Sequence, residues 1–209
     1  MGRDIPLKKK EKTQRSIARI IESAMAEFGT RGYSGGTMEG ICRAGLSKGL
    51  IYHHFAGKDA LYLACLRRCC NCFVAYVIEQ GGEADLNRYM AARMRFRESF
   101  PQEARILFEA LITPPSHLAE DIVRALGAFH ALSEQVYHRT LNALVLREGV
   151  TREQALSYFR LMQTMLNSYF GRSAFQNVRL GDRVRQHEQT IPQLLDYMLY
   201  GIAKGADEP

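Results

Sequence analysis

The stretch from Ser47 to Leu61, SKGLIYHHFAGKDAL, concentrates cationic and hydrogen-bond-donating side chains between small residues. Donors of this kind recognise anionic oxygen. The Tyr52 hydroxyl and the His53 ring can donate to phosphate, the tyrosine ring can lie against a sugar edge, and Lys58 offers a second phosphate contact. Ser47 is a helix-capping residue. Lys48 and Gly49, extended and small at the tip of the helix it starts, let backbone N–H groups and side chains approach a nucleic acid in its major groove. Lys48 and Tyr52 are four apart on one helical face, and Ile51 and Phe55 are four apart on another, so the first pair can face outward while the second packs inward. Leu50 can either touch a thymine methyl or pack inward.

Bond-making chemistry finds no such footing. The sequence contains no HExxH, no GxSxG elbow, no GxxxxGK loop and no GxGxxG after a strand, so neither enzyme activity nor a cofactor is expected. Cys65, Cys69 and Cys72 share one helical face, with Cys70 off it. They suit either a thiol or soft-metal switch or plain apolar packing. No histidine or carboxylate stands beside them at ligand spacing, and no metal is expected. Five cysteines, four of them in one short stretch, make a poor disulfide framework and point to a reducing, cytoplasmic compartment. His117, His130, His138 and His187 are scattered, although His130 and His138 can share a helical face and help to line a cavity.

The 209 residues carry a formal charge of +6, and its distribution is uneven. Residues 1–58 hold eleven Lys/Arg against five Asp/Glu, whereas residues 59–209 hold seventeen of each. A basic first quarter beside a neutral remainder suggests a polyanionic partner for the first part, or else a solvated basic tail. No run of about eighteen uncharged apolar residues exists, and KKKEK near the start lacks the apolar segment of a secretory signal, so no membrane association is expected.

Strand patterns are scarce and helical spacing recurs throughout, which predicts an all-α fold. Ile17, Ile20, Ile21, Ala24 and Phe28 predict a helix from about Thr13 to Phe28, ended by Gly29. Thr37 can cap a short second helix ending at Gly45, and Ser47 a third running to about Phe55. A longer helix from near Lys58 to about Glu79 joins the basic part to the neutral part. Breaks then predict helices at 85–99, 101–113, 115–148 and 151–175, with Thr151 and Gln154 as a capping box. RLGDRVRQHEQ reads as a polar loop before a last helix capped by Thr190, with Pro192 in its first turn. The second and third helices, joined by a tight glycine turn, make a helix-turn-helix unit that coincides with the basic quarter. The expected division is a basic arm and helix-turn-helix domain at 1–57, a helical bundle at 58–205, and a disordered tail at 206–209.

Helical spacing nominates Tyr89, Arg93, Phe96, Phe108, Leu111, Phe129, Tyr137 and Met162 as lining of an apolar pocket with few polar anchors. Leu156, Phe159, Gln163, Leu166, Tyr169 and Phe170 form a stripe on the penultimate helix, and Leu194, Leu195, Met198, Leu199 and Ile202 one on the last. With Tyr197 and Tyr200 the apolar surface runs nearly round that last helix, which predicts a homodimer.

Residues 13–63 resemble the DNA-binding domain of the tetracycline-repressor (TetR) family, through FGTRGY at Phe28–Tyr33, Thr37 and the SKGLIYHHFAGKDAL block. The resemblance implies an all-helical, two-fold dimer that binds a near-palindromic DNA operator and is released by a small-molecule effector held in the C-terminal bundle. Such a chain would regulate transcription, most simply as a repressor. Carried over by position, Thr37 and Tyr52 would contact backbone phosphate, Lys48 and Gly49 would sit in the groove, and Lys58 would hold a phosphate; by their own chemistry and place, Ser47, Leu50 and His53 complete the expected DNA-binding surface. The family's two terminal helices pair across the dimer axis, a role the stripes described above suit. One departure stands out. The family typically has six residues from the isoleucine of the second helix to the turn glycine, and here Ile41 to Gly45 is five. Either the second helix is one residue short, or Gly40 takes the isoleucine's place and Ile41 is forced into a tight alanine position. The alternative function is a helical adaptor whose basic head grips an acidic protein or a membrane face.

Overall fold

The structure, a computed structural model, describes residues 5–175 and 177–202, with side chains from residue 10 onward except at 173 and 200–202. The expected tail at 206–209 lies outside the described residues. Among the described residues ten α-helices account for the fold: α1 (Ile5–Gly35), α2 (Met38–Cys42), α3 (Lys48–His54), α4 (Lys58–Glu79), α5 (Leu86–Ser99), α6 (Pro101–Ile112), α7 (Ala119–Ala125), α8 (Gly127–Asn142), α9 (Arg152–Gly171) and α10 (Leu180–Ile202). The first three form a head and the rest a bundle. The helix that organises both is α4, which packs against α1 on one side and α5, α6, α7 and α8 on the others. It buries Leu61, Tyr62, Cys65, Leu66, Cys69, Phe73 and Val77. By length and composition α4 could cross a membrane, but half of its apolar window is buried inside the bundle, where a core helix needs the same apolarity.

Several boundaries differ from the sequence expectation, each for a local reason. Helix α1 begins eight residues before Thr13 and does not stop at Gly29. A Cβ on Gly29 would lie 2.6 Å from the Gln102 Cβ, so this glycine allows α6 to approach closely instead of ending the helix. The break comes at Gly32, whose φ of 72° and ψ of 179° kink the chain. The single helix expected at 115–148 is instead a 3₁₀ turn at Ser116–Leu118 followed by α7 and α8, separated at Leu126, whose φ of −89° and ψ of 6° are not helical. The capping box of α9 forms as expected: Thr151 Oγ1 accepts from the Gln154 N–H at 3.1 Å and Gln154 Oε1 from the Thr151 N–H at 2.9 Å.

The largest correction is α10. RLGDRVRQHEQ is helical from Leu180, so Thr190 does not cap; it lies in mid-helix with its hydroxyl donating to the Gln186 carbonyl at 2.8 Å, and Pro192 sits inside the helix. The buried residues of this segment are Arg183, Val184, His187, Glu188, Ile191 and Leu195, which recur at helical spacing along one face. Two of its members are a histidine and a carboxylate, which hides the apolar period.

Candidate nucleic-acid interface and bundle cavity

The tip is built from α1 outward. Ile41 is fully buried and its carbonyl accepts the Ser23 hydroxyl of α1 at 2.6 Å, which satisfies one of the free carbonyls at the end of a five-residue helix. Thr37 Oγ1 caps the other end, accepting the Gly40 N–H at 2.9 Å, and the Thr37 N–H donates to the Glu27 carboxylate at 3.1 Å. A Cβ at Gly40 would fall 2.1 Å from the Glu27 Oε1. Ile41 is thus accommodated at full burial, and Gly40 makes room for Glu27 beside it. The turn into α3 is taken by Gly45 at φ 77°.

Ser47 caps α3, its hydroxyl accepting the Leu50 N–H at 3.2 Å. Ile51 is fully buried and Phe55 packs against the core, whereas Lys48, Tyr52 and His53 are exposed, Tyr52 by 54%. Leu50 is half-buried against the core, the inward of its two options. Nothing lies within 4 Å of the position a Cβ would take on Gly49. Packing within the chain therefore does not require glycine there, although glycine weakens a helix by up to about 1 kcal/mol relative to alanine. Lys48 is paired with Glu39 of α2 at 2.5 Å, with both side chains largely exposed.

Behind the tip, Tyr33 ties the head to α4 and the bundle. Its hydroxyl donates to Asp59 at 2.6 Å and lies 3.1 Å from the His117 Nε2, and the Lys58 ammonium sits 4.4 Å from its ring centroid. Burial, then the Asp59 hydrogen bond, push the Tyr33 hydroxyl up to about 12. Its backbone N–H donates to Glu109 of α6 at 3.2 Å, and burial raises the Glu109 carboxyl.

Within the bundle the nominated pocket residues separate into three groups. Tyr89, Arg93, Phe108 and Phe129 come together: the Arg93 guanidinium carbon lies 5.2–5.6 Å from the three ring centroids. Arg93 itself is 2% exposed and forms a two-bond pair with Glu188 of α10 at 2.9 and 2.7 Å. Leu111 and Phe129, with Arg93, line a cavity of about 260 Å³ that also touches His130, Asn167 and His187. Phe96, by contrast, is core, packed on Phe73, Tyr76 and Phe100, and Tyr137 stacks on Phe159 with centroids 4.0 Å apart. Both are fully buried, and Met162 sits on the outer side of α9.

His187 and Glu188 are the site residues that periodicity missed. His187 bridges Glu188 at 2.9 Å and Asn167 at 2.7 Å, extending the network toward the cavity. Burial by itself would raise the Glu188 carboxyl, but the adjacent Arg93 charge outweighs it and holds the carboxyl at about 2. Burial lowers the His130 imidazole. His138 is exposed and contacts Asn142.

The stripe nominated on α9 also divides. Phe159, Leu166 and Phe170 are 4–6% exposed, and Leu195 on α10 is 2% exposed, so these four face the subunit's own core and cannot present themselves to a partner. Leu156 and Gln163 are half-buried, the latter lining the cavity. The unpartnered face is the next one round: Tyr158 (57% exposed), Leu161 (52%), Met165 (62%) and Tyr169 (49%), spaced at 158, 161, 165 and 169, a second stripe that sequence inspection could have found. With Leu194 and Met198 of α10 they border an apolar groove of about 700 Å³. Leu199 is half-buried; the Ile202 and Tyr200 side chains lie outside the described residues.

The cysteine face is packing. Cys65 and Cys69 are fully buried between α4 and α1, where Cys65 points its thiol at the Ile21 carbonyl (3.9 Å) and Cys69 at the Met25 sulfur (3.6 Å). Burial pushes the Cys65 thiol up to about 12 and raises Cys69 further, the opposite of an activated thiolate. Among the described residues no three His, Cys, Asp or Glu side chains converge as a metal site.

A capped, short second helix, a glycine turn and a third helix with an exposed cationic tip define a helix-turn-helix head on an all-helical bundle. The profile of bacterial regulatory proteins of the tetR family matches residues 20–65, which run from the core of α1 into α4. The chain is 29% identical over 126 residues to the HTH-type transcriptional regulatory protein RaaS of Mycobacterium tuberculosis, covering 52% of this chain and 57% of that one. It is 35% identical over 81 residues to the HTH-type transcriptional repressor AcnR of Corynebacterium glutamicum, covering 38% and 43%. The chain thus spans about half the length of the curated relatives it matches. Its fold extends the likeness over nearly the whole molecule. A putative tetR family transcription regulator from Shewanella sp. PV-4 superposes with a TM-score of 0.59 at 18% identity over 91% of this chain and 99% of that one. SmeT, the repressor of the Stenotrophomonas maltophilia multidrug efflux pump SmeDEF, superposes with 0.58 at 19% identity over 93% of each. Residues 20–65 thus match the DNA-binding part of the tetR family, on a fold shared with solved regulators of that family.

Proposed function

We propose that this chain is a cytoplasmic, sequence-specific DNA-binding repressor that works as a homodimer, placing one α3 per half-site in successive major-groove faces of a near-palindromic operator. The observation that carries the reading is the α3 tip. Gly49 meets open space, no internal contact asks for glycine, and Lys48, Tyr52 and His53 stand exposed around it, an arrangement suited to a phosphate backbone pressed close to the helix end. Ser47 and Thr37 hold the two helix starts, Lys58 adds a phosphate contact, and the Lys48–Glu39 pair is exposed enough to be exchanged for phosphate. The repressors named among the relatives support the direction of regulation.

Dimerisation assigns a role to the outer face of α9 and α10, through Tyr158, Leu161, Met162, Met165, Tyr169, Leu194 and Met198. A contiguous exposed apolar patch on a regulator is best covered by its own copy about a two-fold axis. A small effector bound in the cavity beside Arg93, Leu111 and Phe129 would shift α4, which touches both the head and the bundle, and so spoil the spacing of the two heads. To empty the operator it must favour the non-binding state by several kcal/mol.

The test is footprinting and titration of the DNA upstream of the chain's own coding region with purified protein. A protected palindrome whose half-sites lie about 34–36 Å apart, with a log–log salt slope near −7 for about eight neutralised phosphates, is the expected result. Salt-insensitive binding, or binding undiminished by Lys48→Ala with Tyr52→Ala, would favour the adaptor instead.

A further inference from the structure

A cleft larger than the cavity beside Arg93 lies elsewhere in the described residues. It lies between Gly29 of α1, the end of α5, the start of α6 and the start of α10, with a volume of about 860 Å³, within the range of small-metabolite sites. Four guanidinium groups line it: Arg97, Arg105, Arg179 and Arg185. Two carboxylates, Glu98 and Asp182, line it as well, so the cations outnumber the anions two to one. Of these charges only Arg185 and Asp182 pair with each other, at 3.7 Å with both about half exposed; Arg97, Arg105 and Arg179 make no ion pair among the described residues. The Arg97 Nη1 and the Arg105 Nε are buried and have no hydrogen-bond partner in the protein. Buried donors on a cation without a partner are costly, and the cheapest way to satisfy several of them together is one multiply charged oxyanion. The first turns of α6 and α10 border the same space and add the positive ends of two helices.

We propose that this cleft is a binding site for small phosphate-bearing anions, distinct from the cavity beside Arg93. Guanidinium forks from α5, from α6 and from the segment that opens α10 converge on it from three sides, which suits the several oxygens of a phosphate better than a single carboxylate. An occupant would also touch Gly29, on the helix that supports the tip, at a point where α1 and α6 come into close contact.

Isothermal titration calorimetry of the full chain with inorganic pyrophosphate, at constant ionic strength, tests this. The expected result is saturable binding at one site per subunit, with acetate at least tenfold weaker. Arg179→Gln with Arg185→Gln changes two exposed side chains, so helicity and elution volume should be unchanged while pyrophosphate affinity falls at least tenfold. Arg105→Gln should weaken it similarly. Lys48→Ala, at the basic tip, and Thr164→Trp, at the mouth of the other cavity, should leave it unchanged. Equal affinity for acetate, wild-type affinity in the Arg179/Arg185 variant, or loss of binding in Lys48→Ala would each overturn the proposal. None of these results bears on whether the head binds DNA.

Discussion

Two cations of this chain sit beside aromatic residues four positions away on their own helices, and they have opposite fates. Lys48, with Tyr52 on α3, is exposed and paired with an equally exposed Glu39. Arg93, with Tyr89 on α5, is 2% exposed, held by two hydrogen bonds to Glu188 and enclosed by three rings. An exposed pair is weak because water solvates both partners, so it can be traded for a phosphate on binding. A buried pair cannot be traded so easily, because either charge left alone in the core lacks both water and a partner. The difference separates an exchangeable surface pair from a network that holds α5 and α10 together.

That contrast can be broken most forcefully at Glu188. Glu188→Leu should cost about 3–5 kcal/mol in urea unfolding, because it strands Arg93, while Arg93→Met with Glu188→Leu should recover most of the loss. If the single change costs less than about 1 kcal/mol, the pair is not what fastens α10. Next in size is the outer face of α9: Met165→Asp should weaken self-association at least 100-fold, about 3 kcal/mol, in sedimentation, whereas Gln163, on the cavity side, should tolerate substitution. At the tip, Tyr52→Ala and Lys48→Ala should each lower operator affinity about tenfold without altering the unfolding midpoint, and Lys48→Ala should reduce the salt slope by about 1. Gly49→Ala sharpens the point: it should leave stability equal or up to about 1 kcal/mol higher while weakening DNA binding, since no other part of the chain lies within 4 Å of the added Cβ.

The same pair should also show itself in the pH dependence of stability. Glu188 titrates from an ordinary value of 4.5 in the unfolded chain to about 2 in the folded one. A depressed carboxyl stabilises the fold fully above the unfolded value and loses that contribution as the pH falls through the folded one. Stability should therefore decline between about pH 4.5 and 2, and the Arg93→Met/Glu188→Leu variant should show a shallower decline over that window. An identical pH profile for the two proteins would remove Glu188 from the account.

The head was legible because its signals are local. Thr37 and Ser47 cap the helices they precede, Gly45 takes the positive φ of the turn, and the 48/52 and 51/55 spacings separate outside from inside without reference to the rest of the chain. In the bundle local signals misled. Gly29 looked like a helix stop and is a contact point for α6, and the polar run before Thr190 looked like a loop because its buried face includes His187 and Glu188. The stripe on α9 had the right period, yet α9 carries two apolar stripes, and periodicity alone does not say which one meets the subunit's own core.

Composition, charge placement and short-range spacing by themselves determined an all-helical chain with a basic helix-turn-helix head, since caps, turns and a helical face involve residues only a few positions apart. Only the tertiary structure decided which charges are buried, which face of α9 is left free, and where Arg97, Arg105, Arg179 and Arg185 meet. Those outcomes depend on pairings such as Arg93 with Glu188, 95 positions apart, and a period read along one helix carries no information about the helix it will lie against.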